Sequence, residues 1–168
     1  MPQEATKTCA FTGHRPQGLP WGYNECSPLF EAARKRLQNE LFRAVGLGYE
    51  KFLTGMAVGA DQMLAALVIE MIKGGSEVEL CAAIPCKTQP HRWIEPQKQR
   101  YWDILSMCSE ITVLQEDYTP GCMQRRNRWM IDRSGMLIAM WNGSYTGGTA
   151  GTLRYAREKG LMLSIIDV

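Results

Sequence analysis

The chain has 168 residues, of which 45% are hydrophobic and 21% are charged, and its formal net charge is +2. This length suits one domain, residues 1–168, with a buried core, and it leaves no room for a second large module. The small net charge does not by itself indicate a nucleic-acid-binding protein, and no apolar run is long enough to span a bilayer. Residues 1–4 lack the charged and apolar regions of a signal peptide, so we expect a cytoplasmic protein with no membrane partner.

Short apolar runs alternate with segments of helical periodicity along the whole chain. Strands are predicted at residues 7–12, 50–54, 78–84, 111–114, 136–141 and 162–166. Helices are predicted at residues 28–45, 60–72, 96–108, 123–133 and 152–159. Because the strands are continuous apolar runs, they indicate a sheet that is covered on both faces. We therefore predict an α/β fold, a Rossmann-like three-layer sandwich with a mainly parallel central sheet and helices on both faces.

Three glycine-bearing turns follow predicted strands. We call them the first turn (residues 12–16), the second turn (residues 54–61) and the third turn (residues 146–152). Glycine lets backbone N–H groups and the amino end of a helix approach an anion without obstruction by a side chain. Because open α/β sheets bind ligands at the carboxyl ends of their strands, the turns predict one phosphate-bearing ligand at that edge. The candidate ligand-binding residues in the turns are Gly13, His14, Arg15, Gly55, Gly59, Asp61, Gly147, Gly148, Thr149, Gly151 and Thr152.

Asp61 and His14 are also the candidate catalytic residues. An aspartate would repel a phosphate, so we expect Asp61 to meet a ribose hydroxyl or a water, or to act as an acid or base. Alternatively, Asp61 only complements the dipole of the helix that follows. His14 could donate to a phosphate or transfer a proton, and Arg15 could bind a phosphate through its guanidinium. The alternative is a structural His14 beside a solvated Arg15.

The third turn is the strongest candidate for a phosphate cradle. Its small residues expose consecutive N–H groups, and two threonine hydroxyls add donors at the start of a helix. The alternative is a glycine-rich connection in which a threonine serves as the N-cap.

A basic segment precedes the fifth predicted strand. Arg125, Arg126, Asn127 and Arg128 form either a solvated helix face or a group that reaches the same edge of the sheet. Arg126 and Asn127 are the ligand-binding candidates from this segment. Trp93 lies in a predicted loop and is a candidate for stacking on a base.

The six cysteines contain no CxxC pair, and neither histidine lies in a motif with ligand spacing. We therefore expect free thiols, no metal and no required cofactor, with a nucleotide or dinucleotide as the expected bound ligand. Residues 16–26 form the longest predicted loop and are a candidate lid.

The ordered set of motifs resembles the SLOG superfamily, the Rossmann-like group that joins the DNA-processing protein DprA (Smf) to the LOG cytokinin-activating hydrolases. Residues 54–61 (TGMAVGAD) are similar to the DprA loop SGxAxGID, and residues 125–130 (RRNRWM) are similar to its RRNRII segment. Three further motifs resemble those of the small stand-alone YpsA-like proteins. They are FTGHRP at 11–16, Trp93-x-x-Pro96 before Tyr101, and MIDRS at 130–134. The resemblance covers nearly the whole chain. It implies a Rossmannoid domain that binds nucleotide-derived ligands such as NAD or ADP-ribose, often as a homodimer.

Two departures from these relatives bear on activity. LOG hydrolases carry PGGxGTxxE, whereas this chain has Thr146 in place of the proline and Tyr155 where the glutamate would stand. DprA proteins carry flanking domains that a chain of this length lacks. The leading hypothesis is therefore binding or sensing of a nucleotide-derived ligand. The alternatives are a hydrolase that cleaves an N-glycosidic or phosphoribosyl bond, and DprA-like binding of single-stranded DNA.

Overall fold

A computed structural model describes residues 7–168, which contain one sheet of six strands. The strands are β1 (Thr8–Gly13), β2 (Lys51–Thr54), β3 (Glu79–Ile84), β4 (Glu110–Val113), β5 (Met136–Trp141) and β6 (Met162–Asp167). Their order is β4-β3-β2-β1-β5-β6, and every pairing between these strands is parallel. The expectation about residues 1–4 lies outside the described residues.

Five α-helices connect these strands within residues 7–168: α1 (Pro28–Gly46), α2 (Ala60–Lys73), α3 (Glu95–Ser106), α4 (Cys122–Asp132) and α5 (Gly148–Glu158). The start of α1 follows a common rule, because Ser27 Oγ accepts the N–H of Leu29 at 3.2 Å and Pro28 occupies the first helical position. None of the helices in this described part of the chain is long and apolar enough to cross a membrane.

The helices cover both faces of the sheet. α1, α2 and α3 pack on one face, where the core includes Leu37, Phe52 and Leu64. α4 and α5 pack on the other face, against Leu137 and Ala139 of β5. The predicted α/β, Rossmann-like, three-layer architecture is confirmed, and the sheet is wholly parallel in the described residues rather than mainly so.

The sheet has a switch point between β1 and β5. From β1 the chain proceeds outward through β2, β3 and β4, and it then returns to β5 on the other side of β1. Because α1 follows β1 on one face and α5 follows β5 on the other, a crevice opens at the carboxyl ends of these two strands. The first, second and third turns follow β1, β2 and β5, so all of them lie at this edge.

The structure corrects the predicted start of the last helix. The sequence predicts residues 152–159, whereas α5 begins at Gly148, immediately after Gly147 with its φ of +96°. Gly148 and Gly151 do not have positive φ and lie within the helix. The third turn is therefore the first turn of α5 itself rather than a loop that precedes it.

The candidate lid is partly packed against the rest of the fold. Within residues 16–26, Pro16–Gly18 form a short 3-10 helix, and Trp21 is buried and packs edge-on against Phe30 with ring centroids 5.7 Å apart. Tyr23 is 65% exposed.

The cysteines in the described residues are free thiols, and Cys9, Cys81, Cys86 and Cys122 are buried. Within residues 7–168, no group of three or more His, Cys, Asp or Glu side chains is placed to hold a metal ion.

Candidate functional site

The second turn is shaped around the guanidinium of Arg126. A Cβ on Gly55 would lie 2.5 Å from both Cζ and Nη1 of Arg126. The Gly55 carbonyl accepts hydrogen bonds from Arg126 Nη1 and, at 3.1 Å, from Gln89 Nε2. Gly59 has a φ of +108°, and a Cβ there would lie 2.7 Å from the carbonyl oxygen of His14. Packing and backbone conformation therefore require both glycines.

Arg126 brings a buried positive charge to the edge of the sheet. It is 5% exposed. Its Nη1 also donates to the carbonyl of Ala83 at 3.3 Å, and its Nε donates to Asn127 Oδ1 at 2.8 Å. Burial lowers the pKa of Arg126, and the nearby charge of Asp61 opposes that shift. Because Nη2 makes no hydrogen bond to any residue in 7–168, it is available to a bound anion.

Asp61 is a buried carboxyl group near Arg126. Its Oδ2 accepts the N–H of Ala57 at 3.1 Å, and its backbone carbonyl accepts the hydroxyl of Thr54 at 3.3 Å. Burial raises the pKa of Asp61, and the charge of Arg126, the N–H of Ala57 and the charge of Arg15 oppose this shift. Asp61 therefore ties the second turn to α2. Its Oδ1 has no hydrogen-bond partner in the described chain and can accept a hydroxyl from a ligand.

His14 connects the first turn to the end of β5. Its Nε2 accepts the backbone N–H of Asn142 at 3.0 Å, and the Asn142 side chain donates to the carbonyl of Gly18 at 2.9 Å. The carbonyl of His14 accepts the N–H of Ala60 at 3.1 Å, which joins the first turn to α2. Because Nε2 accepts, the neutral ring carries its proton on Nδ1, and burial lowers the pKa of His14. While this bond persists, proton transfer by His14 is restricted to Nδ1.

The amino end of α5 presents unpaired backbone donors. Gly147 is its N-cap, and no side chain from the described residues caps the helix. The N–H groups of Gly148, Thr149 and Ala150 make no hydrogen bond within residues 7–168. Free N–H groups at the positive end of a helix dipole favour an anion.

Gly148 and Gly151 are glycines that the fold does not require. Among the described residues, and leaving aside chain neighbours and the helix backbone, the nearest atom to a Cβ at 148 would be Asn127 Nδ2 at 3.8 Å. At 151 it would be Arg154 Nη2, also at 3.8 Å. Neither glycine has positive φ. Since glycine inside a helix costs about 0.5–1 kcal/mol relative to alanine, the helix itself does not favour glycine at these positions.

The two threonine hydroxyls of the third turn differ in availability. Thr149 is 4% exposed, and its hydroxyl makes no hydrogen bond within the described residues. Thr152 Oγ1 instead donates to the carbonyl of Gly148 at 2.8 Å. Thr149 can therefore donate to a ligand directly, whereas Thr152 would first have to give up its bond within the helix.

The turns and α4 enclose a cavity of about 280 Å³, which we call the inner pocket. The predicted residues that line it are Gly13, His14, Arg15, Gly55, Asp61, Arg126, Asn127, Gly148 and Thr149. An adjoining cavity of about 310 Å³, the outer pocket, lies between α4 and α5. The predicted residues that line the outer pocket are Asn127, Gly147, Gly148, Gly151 and Thr152. Gly59 lines neither pocket and lies instead in a smaller cavity beside Trp21.

A further cavity, which we call the wide pocket, has a volume of about 810 Å³. It shares Arg15, Ala57 and Met123 with the inner pocket. Its lining includes three aromatic rings, Tyr23, Trp93 and Tyr118. Trp93 packs edge-on against Tyr101 with ring centroids 5.4 Å apart. The candidate stacking residue therefore lies in a pocket that adjoins the inner pocket.

Some site residues were missed by the sequence analysis. Asn142 immediately follows β5, so the rule that ligands bind at the carboxyl ends of strands could have identified it. Gln124 lies three residues before Asn127 on α4, and helical spacing could have placed both in one lining. Gln89 and Tyr118 lie in long connections and carry no comparable signal.

Solved structures of DprA proteins share this fold. The DprA structure from Streptococcus pneumoniae aligns with a TM-score of 0.63 and 15% sequence identity, covering 97% of this chain and 51% of that chain. The structure of DprA from Helicobacter pylori, a protein that binds single-stranded DNA, aligns with a TM-score of 0.63 and 16% identity, covering 96% of this chain and 65% of that chain. The present chain thus spans about half of the Streptococcus pneumoniae protein and just under two thirds of the Helicobacter pylori protein.

Two relatives in sequence from Bacillus cover most of this chain or of their own length. The uncharacterized SPbeta prophage-derived protein YoqJ of Bacillus subtilis is 32% identical over 120 residues, which are 64% of this chain and 70% of that protein. A UPF0398 protein of Bacillus pumilus is 26% identical over 154 residues, which cover 90% of this chain and 82% of its own length. The YpsA family model, described as the YspA SLOG family, matches residues 9–165. Because this match includes β1 through most of β6, the chain belongs to the YspA SLOG family.

Proposed function

We propose that this protein binds a nucleotide-derived ligand, of the class that includes NAD and ADP-ribose, at the carboxyl edge of its sheet. A phosphoryl group lies in the inner pocket at the amino end of α5. Its donors are the N–H groups of Gly148 and Thr149, the hydroxyl of Thr149, Arg126 Nη2 and the guanidinium of Arg15. Backbone and charged donors of this kind are the usual means of binding phosphate.

The observation that carries this proposal is the pair of glycines that the fold does not require. Gly148 and Gly151 lie in a helix where a Cβ would meet no atom closer than an ordinary contact distance of 3.8 Å, at the positions where a ligand would approach the backbone. The hydroxyl of Thr149 supports the same assignment, because Thr149 lines the inner pocket and its hydroxyl makes no hydrogen bond within the described residues.

The rest of the ligand extends from the inner pocket into the wide pocket. Asp61 Oδ1 accepts a ribose hydroxyl, since the carboxyl group lines the inner pocket and has one unpaired oxygen. The nucleoside base lies in the wide pocket, where Trp93, Tyr23 and Tyr118 offer aromatic surfaces for stacking.

Hydrolysis and binding of single-stranded DNA are less well supported. At the position of the LOG glutamate, Tyr155 donates its hydroxyl to Asp132 at 2.7 Å, so the third turn supplies no carboxylate there. Asp61 is then the candidate acid or base. The DprA likeness favours DNA binding, but a net charge of +2 offers a nucleic acid little long-range attraction.

The test is a thermal-shift screen and calorimetric titration with NAD, ADP-ribose and the ribonucleotides, on the wild-type protein and on Gly148→Asp. An aspartate at the first turn of a helix complements the dipole, and its Cβ would meet Asn127 Nδ2 at an ordinary contact distance of 3.8 Å, so the variant should fold normally. Its carboxylate would repel the phosphoryl group. We expect a ligand that raises the melting temperature of the wild type and binds Gly148→Asp at least about tenfold more weakly.

Gly46→Asp is the matched control. Gly46 has open space and no positive φ, and it lies at the end of α1. This variant should bind as the wild type does. If the wild type and Gly148→Asp bound the ligand with equal affinity, the phosphoryl group would not lie at the end of α5. If none of these ligands bound, the proposal as a whole would be refuted.

A further inference from the structure

The outer pocket carries its own pair of cationic side chains, Arg128 from α4 and Arg154 from α5. Arg154 Nη1 donates to the carbonyl of Tyr145 at 3.0 Å, and the Arg128 guanidinium lies 5.3 Å from the ring centroid of Tyr155. Within residues 7–168, neither arginine forms an ion pair with a carboxylate. Both guanidinium groups are thus oriented by neighbours and retain unused N–H donors.

The outer pocket adjoins the inner pocket across the amino end of α5. Gln124, Asn127 and Gly148 line both pockets. The inner pocket in turn shares Arg15 and Met123 with the wide pocket. The wide, inner and outer pockets therefore form a row, in which the inner pocket is the middle member.

The boundary between the inner and outer pockets is built from small residues. A Cβ at Gly151 would lie 3.8 Å from Arg154 Nη2, so this guanidinium lies beside the first turn of α5. Glycine at 147, 148 and 151 leaves this side of the helix end without side chains. Glu158 also lines the outer pocket, but the two arginines leave the local charge positive.

We infer that the outer pocket is a second anion subsite, and that the ligand carries two consecutive phosphoryl groups, as in a nucleoside diphosphate moiety. The nucleoside occupies the wide pocket and the first phosphoryl group occupies the inner pocket. The second phosphoryl group occupies the outer pocket, where Arg128 and Arg154 donate to its oxygens. This inference rests on the proposed function.

The test compares the affinities of the ribonucleoside monophosphates and diphosphates of adenine, guanine, cytosine and uracil for five forms of the full chain. The forms are the wild type, Arg154→Gln, Arg128→Gln and two matched controls, Arg157→Gln and Arg125→Gln. Each control arginine lies three residues from its partner on the same helix, is exposed and is absent from the lining of the three pockets. Each variant and its control therefore remove one positive charge from the same helix, α4 for Arg128 and Arg125 and α5 for Arg154 and Arg157.

We expect the wild type to bind its preferred diphosphate at least about tenfold more tightly than the matching monophosphate, because the second phosphoryl group adds charge-assisted contacts with both arginines. Arg154→Gln and Arg128→Gln should each reduce diphosphate affinity by about tenfold and change monophosphate affinity by less than about twofold. The controls should change neither affinity by more than about twofold.

Three outcomes overturn the inference. If the wild type binds monophosphates and diphosphates equally, the second subsite is absent while the proposed function stands. If no mononucleotide of either kind binds, the inference fails, and the proposed function fails with it only if NAD and ADP-ribose do not bind either. If an oligodeoxythymidylate depends on Arg128 and Arg154 while the diphosphates do not bind, the arginines contact a nucleic-acid backbone instead.

Discussion

At the scale of single residues, Arg126 organises the carboxyl edge of the sheet. Its buried guanidinium donates to the carbonyls of Gly55 and Ala83 and to Asn127, and its charge faces the carboxyl group of Asp61. A buried charge is tolerated when its hydrogen bonds are made and an opposite charge is near. The position of the second turn therefore depends on Arg126 as much as on the glycines.

Replacing Gly55 with alanine should destabilise the protein. The added Cβ would meet Cζ and Nη1 of Arg126 at 2.5 Å, and the guanidinium cannot move without losing its carbonyl partners. We expect a decrease of about 1–3 kcal/mol in the free energy of unfolding, measured by urea denaturation. Gly148→Ala is the control, since its Cβ would meet no atom closer than 3.8 Å. A Gly55→Ala protein as stable as this control would contradict the assigned packing.

His14 makes the stability of the protein depend on pH. Burial lowers the pKa of His14 below its ordinary value of 6.5, and its Nε2 must lose the N–H of Asn142 to bind a proton. The unfolded chain therefore binds this proton more readily than the folded chain. The contribution is fully present above pH 6.5 and is lost as the pH falls from there through the lowered pKa.

Replacing His14 with glutamine should flatten this part of the stability profile. Urea denaturation from about pH 8 to pH 5 would show a smaller loss of unfolding free energy on acidification in His14→Gln than in the wild type. His91→Gln, at the exposed histidine, controls for removal of an imidazole. Identical wild-type and His14→Gln profiles would exclude the bond to Asn142 as a source of pH dependence.

At the scale of secondary-structure elements, the glycines at the start of α5 lower the stability of the helix and leave its first backbone N–H groups open to a ligand. Gly147 ends the preceding loop with positive φ, and Gly148 and Gly151 follow within the helix. No side chain in the described chain caps this end, so its N–H groups are left for another partner. A helix optimised for stability alone would have alanine at 151 and a serine, threonine or aspartate cap.

The variant Gly151→Ala should therefore change stability and binding in opposite directions. We expect the free energy of unfolding to rise by about 0.5–1 kcal/mol, because alanine loses less backbone entropy in a helix. The added methyl group would narrow the approach beside Arg154, so diphosphate affinity should fall severalfold. Gly46→Ala, at the end of α1, should leave binding unchanged. A rise in both stability and affinity would show that glycine at 151 does not serve a ligand.

At the scale of the whole molecule, the sheet order determines where the site forms. β1 and β5 are neighbours although more than a hundred residues separate them, and β2 lies on the other side of β1. The three turns thereby come from distant parts of the chain to one edge, and α4 adds Arg126 and Asn127 from the adjacent face. Homodimer formation and a cytoplasmic location remain predictions.

Much of the fold could be predicted because it depends on local patterns. The apolar runs and helical periodicity indicated each strand and helix, and the glycines after β1, β2 and β5 indicated the edge. The start of α5 was misplaced because glycine is a weak helix former, yet Gly148 and Gly151 take helical backbone here. The position of Asn142 at the end of β5 could be predicted, but its hydrogen bond to His14 could not, since that bond joins segments far apart in the chain.

The sequence by itself determined the α/β architecture, the family resemblance and the three turns, because strand, helix and turn preferences act between residues close in the chain. The tertiary structure decided what each turn can do. Gly55 and Gly59 are required by packing, whereas Gly148 and Gly151 are free of that requirement. The structure also made Arg126 a buried charge and paired the outer pocket with Arg128 and Arg154. These properties arise from contacts between distant segments, and such contacts exist only once the sheet has brought those segments together.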